Sequence, residues 1–501
     1  MKMKNRTRAA QGLIVGAMAL CLALPAFSAS VKEVLDINIT SHLNTQMWED
    51  SVLPANDIAV TTTDGIVTLE GTVDNIMTKD RAQALVEASV GVRGIVNIIK
   101  VWPPTTRDDM ELAKAVNDAW LADPTADAYD LSASADNGVV TLTGTVQSYA
   151  EKDLAERVAR GVRGVTDIKN EITVEYETKR SDLEIENEIK TRLENDIRVD
   201  DQLVEVKVKD GDVTLSGTVG SLQEKTQAGS DARVVAGVKS VDTDGLALNW
   251  WARDDMRRKS AYTSRADEEI KKAVKDAFLY DPRILSFNPE IEVSDGTVTL
   301  SGIVDNLEAK RSAEWVARNT LGVWRVKNHL KVRTEIPSNE DLEQRVATAL
   351  RNDPYVERYD ITVDAYNGWV NLSGKTNSAF EKNQAERVAE GVKGVVGVNN
   401  TLENDYSWAW KPDLEILEDV KEQLWWSPFV DSDEIVVSVD RGVVTLTGTV
   451  DSWSEYDDAE KNAFQGGARD VTNDLVVDSR YYGPYGPGYY HDPYYGPRYL
   501  P

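Results

Sequence analysis

The sequence predicts an α+β fold built as a tandem array of six small αββαβ domains, each a three-stranded mixed sheet with two helices packed on one face. Three observations lead there. First, a nine-residue string opening on glycine returns six times, at Gly65, Gly138, Gly211, Gly296, Gly368 and Gly442, and the copies at 138–146 and 442–450 are identical as GVVTLTGTV. Successive copies lie about 73 residues apart, with one longer third gap, a period that marks a repeated domain. Second, five of the six glycines follow Asn or Asp, the dipeptides of a two-residue type I′ hairpin turn. Third, apolar residues at helical spacing precede each hairpin, and alanines at the same spacing follow it.

The first helix of the unit is read from Leu112, Ala113, Val116 and Trp120 in the second copy and from Ile270, Val274 and Phe278 in the fourth. Ser181 with Glu184 has the form of a capping box. Asp-Pro pairs at Pro124, Pro282 and Pro354 are expected to stop three of these helices, because the residue before proline is pushed out of the helical region. In the strand after the turn, Val140, Leu142 and Val146 point one way and Val139, Thr141, Thr143 and Thr145 the other. Gly138 is explained by the turn and Gly144 by a bend within the strand, without a ligand. The second helix carries Ala155, Val158 and Ala159, or Ala385, Val388 and Ala389, and is expected to end with Gly161 or Gly391 in the left-handed C′ conformation. A third strand, such as 165–174, closes the unit.

Three features, the Gly-x-Val-Thr-Leu-x-Gly-x-Val hairpin, the alanine-rich second helix and the Gly-Val-x-Gly-Val junction at 161–165 and 391–395, make the chain resemble the BON domain, the bacterial OsmY and nodulation module. The departures are Ser240, Arg325 and Asp470 at the second junction glycine, Ala468 for the junction valine, and Lys375-Thr376 closing the fifth hairpin. The resemblance divides the chain into repeats at 31–103, 106–176, 180–248, 265–335, 338–406 and 412–478. It leaves a signal segment at 1–28, a linker at 249–264 and a Tyr/Gly/Pro-rich tail at 479–501. It implies a non-enzymatic periplasmic protein that binds phospholipid surfaces or envelope proteins and supports envelope integrity under osmotic stress. The alternative it implies is a holdase-type chaperone for unfolded exported clients.

Composition agrees with export. Lys2, Lys4, Arg6 and Arg8 precede an apolar stretch from Leu13 to Leu24 and the small residues around Ala26 and Ser28, the pattern of a cleaved secretory signal. The one cysteine, Cys21, lies in that stretch behind Leu20, where a lipoprotein signal wants a small residue, so thiol chemistry is excluded from the mature chain. The formal net charge of −28 becomes four units more negative without the signal, which repels nucleic acid.

Catalysis finds little support. His42, His329 and His491 sit in different elements, none recurs with the repeat, and each reads as a surface residue. No Gly-x-Ser-x-Gly elbow or phosphate loop is present. The acidic clusters Asp254-Asp255, Asp431 with Asp433, and Asp457-Asp458 lack the glycine and terminal glutamate of a calcium loop. No catalytic residue, cofactor, metal or small-molecule substrate is expected.

Binding is expected where the repeats differ. The linker joins Trp250 and Trp251 to Arg253, Arg257, Arg258 and Lys259, which suits a membrane interface or anionic partner, and equally a linker whose rings cover a neighbouring repeat. Trp425-Trp426, ending the first helix of the last repeat, could extend such a surface. The tail is read as disordered, with tyrosines free to contact protein or polysaccharide.

Overall fold

A computed structural model describes residues 34–50, 52–53, 57–103, 107–126, 129–176, 180–249, 252, 265–357, 359–404 and 411–477. Twelve helices stand among these residues, two per repeat: α1 (Asp36–Glu49), α2 (Ile76–Glu87), α3 (Asp109–Ala122), α4 (Tyr149–Arg160), α5 (Asp182–Asn195) and α6 (Leu222–Arg233) in the first three. The other three repeats hold α7 (Asp267–Phe278), α8 (Leu307–Arg318), α9 (Asn339–Asn352), α10 (Ala379–Glu390), α11 (Asp413–Trp426) and α12 (Trp453–Gln465).

The second repeat shows how the sequence builds the unit. Strand Asp130–Asp136 pairs antiparallel with Val139–Val146, and the closing strand segments Asp167–Asn170 and Thr173–Val174 pair parallel with that same central strand. The nonapeptide is therefore the middle of a mixed sheet. Val140 and Leu142 are fully buried beneath α3 and α4, against Leu112, Val116, Trp120, Ala155 and Ala159, while Thr143 faces outward. All six turns place both central residues at positive φ, including Arg441 at 52°, where the other copies use Asn or Asp. Gly144 is needed because a Cβ there would lie 2.3 Å from the Asp130 carbonyl oxygen. The Ser181–Glu184 capping box forms at the start of α5.

Three local expectations are corrected. Gly161 and Gly391 cap their helices in right-handed conformation, φ −70° and −71°. The left-handed position lies three residues later and is glycine in all six repeats: Gly91, Gly164, Gly237, Gly322, Gly394 and Gly467. The expected departures at Ser240, Arg325 and Asp470 therefore disappear, since those residues open the third strand, in the place that Asp167 takes in the second repeat. Finally, α7 stops at Phe278, before the Asp281-Pro282 pair, whereas α3 and α9 end directly ahead of Asp123 and Asp353.

One further device pins each unit. The first residue of the first helix reaches over the hairpin turn 28 residues later: Asp109 accepts from the backbone N–H of Asn137 at 3.0 Å and of Gly138 at 3.2 Å. Asp36, Asp182, Asp267 and Asp413 do the same in their own repeats, and Asn339 makes one such bond at 3.1 Å. A carboxylate accepting two N–H donors holds the strained turn against the helix, and this fixes the angle between hairpin and helix.

Candidate functional site: the seams between repeats

The six units pack on one another. In five of the six repeats the first residue of the second helix points into another repeat: Ile76 joins the core of the second, the Tyr149 hydroxyl donates to the Lys239 carbonyl of the third at 2.8 Å, and Leu222 packs against the core of the first. In the other half Leu307 packs on the fifth repeat, and the Trp453 indole donates to the Trp324 carbonyl of the fourth at 3.0 Å.

Three seams between the halves pair repeat 1 with 6, 2 with 5 and 3 with 4. In each, the last carbonyl of a first helix accepts the backbone N–H that precedes a left-handed glycine of the partner repeat. Arg163 donates to Asn352 at 2.8 Å while Lys393 donates to Ala122 at 3.2 Å, a reciprocal exchange between equivalent positions. Leu321 donates to Asn195 at 3.0 Å, and Val90 to Trp426 at 3.2 Å. In the seam between repeats 1 and 6, the eleventh residues of α1 and α11 meet, with the Gln46 side-chain amide donating to the Gln423 side-chain carbonyl. The seams thus supply donors to helix-end carbonyls that have no partner within their own helix.

These six units are recognised beyond the chain. The BON domain family profile matches residues 36–103, 108–176, 181–249, 266–334, 338–404 and 412–479. The chain belongs to the BON domain family. It is similar to the osmotically-inducible protein Y of Escherichia coli, with 37% identity over 143 residues, 27% of this chain and 71% of that one. It is similar also to the outer membrane lipoprotein DolP of Haemophilus influenzae, with 30% identity over 168 residues, 32% of this chain and 86% of that one. Among solved structures, the C-terminal domain of CdsD, a type III secretion protein of Chlamydia trachomatis, covers 43% of this chain and all of its own at 14% identity, with a TM-score of 0.12.

Within this BON assembly the expected binding residues separate. Trp250, Trp251, Arg253, Arg257, Arg258 and Lys259 lie outside the described residues, as do Asp254, Asp255, His491 and the tail. Trp425 is 53% exposed, but Trp426, taken above as part of the same surface, is buried. Its ring stacks on His42 of the first BON repeat, centroids 4.1 Å apart and nearly parallel, and joins that repeat's core. His42 is accordingly no surface residue: burial drives its pKa down to about 3, and its nearest carboxylate, Glu422, stands 3.9 Å away. Trp48, missed in the sequence, occupies on α1 the place that Trp425 occupies on α11 and is 68% exposed. Two outward tryptophans therefore belong to the two helices that cross at Gln46 and Gln423.

A cavity of about 1280 Å³ lies between BON repeats 2, 3, 4 and 5. Its wall mixes arginines, among them Arg157, Arg192, Arg233 and Arg283, with as many carboxylates. Asp231 contacts Arg192 at 2.9 Å, and burial pushes its carboxyl up to about 7. Arg283 bridges repeats to Asp123 at 3.2 Å. These groups neutralise one another and fasten the repeats together. Asp457, in one of the acidic clusters noted in the sequence, pairs with Arg318 of the fourth repeat at 2.8 Å. Among the described residues no group of His, Cys, Asp or Glu could hold a metal ion, and no helix is long and apolar enough to cross a membrane.

Proposed function

We propose that this chain is a non-enzymatic BON protein of the periplasm that binds phospholipid surfaces or envelope proteins and supports envelope integrity under osmotic stress. The names of two relatives, one osmotically inducible and one an outer membrane lipoprotein, support the compartment and the context. The observation that carries the binding reading is the pair Trp48 and Trp425, exposed at equivalent places on α1 and α11, since indole rings settle at headgroup depth. Fixed on joined repeats, the two rings engage together, which raises the effective concentration of the second contact. The linker cations from Arg253 to Lys259 and the rings of Trp250 and Trp251 are proposed as a further contact that offsets the repulsion between this acidic chain and an anionic leaflet.

Sedimentation with phosphatidylethanolamine and phosphatidylglycerol vesicles tests this. The native chain is expected to pellet with vesicles at low salt, and Trp48→Ala/Trp425→Ala to partition about tenfold less. No binding to any vesicle, together with suppressed aggregation of an unfolded client, would instead establish the holdase reading.

A further inference from the structure

The outward face of each sheet carries a run of threonines in most repeats, and the fifth repeat departs from it. Residues that face outward on the central strand are Thr141, Thr214, Thr299 and Thr445 elsewhere, but Asn371 here, and the position two residues before it is Trp369. Trp369 stands directly across the hairpin from Tyr366, and they are 55% and 69% exposed. Its other neighbour, on the parallel strand, is Gly397. A Cβ on that glycine would lie 2.7 Å from Trp369 Cζ3, so the indole lies down over the bare backbone with its opposite face turned to solvent. Next along the same face, Asn399 Nδ2 donates to Asn371 Oδ1 at 3.1 Å, which leaves the Asn371 amide N–H groups and the Asn399 carbonyl oxygen directed outward. Exposed Asp364 pairs in register with Asn371 and completes the row.

We propose that this face binds an uncharged glycan, a chain of pyranose sugars. A flat ring laid parallel to a sheet matches the C–H face of a sugar, and adjacent amides and a carboxylate match its hydroxyls with both donors and acceptors. Charge decides against a polyanion: the row of Asp364, Asn371 and Asn399 holds a carboxylate and no cation, within a chain of net −28 that repels one. The aromatic pair also stabilises its hairpin and shields Gly397, as cross-strand aromatic pairs do. That role accounts for the two rings and leaves the Asn371, Asn399 and Asp364 row without a purpose.

The test titrates the full chain with chitohexaose and cellohexaose by calorimetry. Saturable binding of either hexaose is expected. Trp369→Ala is expected to weaken it by at least about tenfold. Asn371→Ala, which leaves the aromatic pair in place, is expected to weaken it about threefold, and Thr299→Ala at the same place in the fourth repeat to leave it unchanged. Should Trp369→Ala lose its native circular dichroism, Asn371→Ala decides. Absence of binding to both sugars overturns the proposal, as does a retained affinity in Asn371→Ala, or a loss in Thr299→Ala equal to that in the fifth-repeat variants.

Discussion

The seam between repeats 2 and 5 and the seam between repeats 1 and 6 use one backbone rule and dress it differently. Between 2 and 5 the exchange is reciprocal, and the side chains around it are polar: Arg163 with Glu357, and Arg107 with the Asn352 side chain at 2.8 Å. Between 1 and 6 one backbone bond carries the register, and a His42–Trp426 stack and a Gln46–Gln423 pair fill the space. Backbone geometry brings any two repeats together in the same way, and side chains decide which two. Repeat 1 also packs on repeat 5, with Val52 and Met77 against that repeat's core and Arg81 over the Phe380 ring, but without this backbone bond among the described residues.

The contrast can be broken at its apolar end first. Trp426→Ala removes a buried ring from the first repeat's core and is expected to cost about 3–5 kcal/mol in urea unfolding, with a cavity left behind. Next comes the acid response of the same seam. The folded pKa of His42, about 3, lies below its unfolded value near 6.5, so the unfolded chain takes up the proton first and stability falls as pH drops through that window. Between pH 6.5 and 4.5 His42 alone is expected to contribute a loss of about 2–3 kcal/mol, read as the change in the stability difference between the native chain and His42→Leu. Glu224 and Glu455 act in the opposite sense. Burial raises them to about 7 and about 8, so the stability they contribute is complete in acid and is lost as pH rises through those values. Unfolding midpoints of the native chain and His42→Leu from pH 4.5 to 8.5 separate the two limbs. The smallest effect is expected in the other seam: Arg163→Ala removes a half-exposed ion pair and leaves the backbone exchange intact, a change under about 1 kcal/mol by the same measurement.

How much of this was legible follows from the range over which each signal acts. Turn, facing and caps are local, and Asn137-Gly138, Val140 with Leu142, and Ser181 with Glu184 sit as their chemistry dictates. The junction glycine was misplaced because Gly-Val-x-Gly recurs three residues out of step between copies, and only φ distinguishes Gly161 from Gly164. The turn clamp was visible as an aspartate opening the first helix in five repeats, 28 residues before each turn, but its meaning needed the fold. The seams were not legible. His42 and Gln46 look like polar positions on an amphipathic helix, and nothing near them in sequence announces a partner as distant as Trp426 and Gln423.

The pairing 1 with 6, 2 with 5 and 3 with 4 is nested like brackets in a sentence, and this imposes an order on assembly. Repeats 3 and 4, neighbours along the chain, close the innermost bracket at small entropic cost, whereas Gln46 must wait for a partner 377 residues away. During synthesis from the N-terminus, the first repeat emerges with His42 and the bed of Trp426 bare, and stays so until the last repeat has followed it. The outermost bracket is the last to shut.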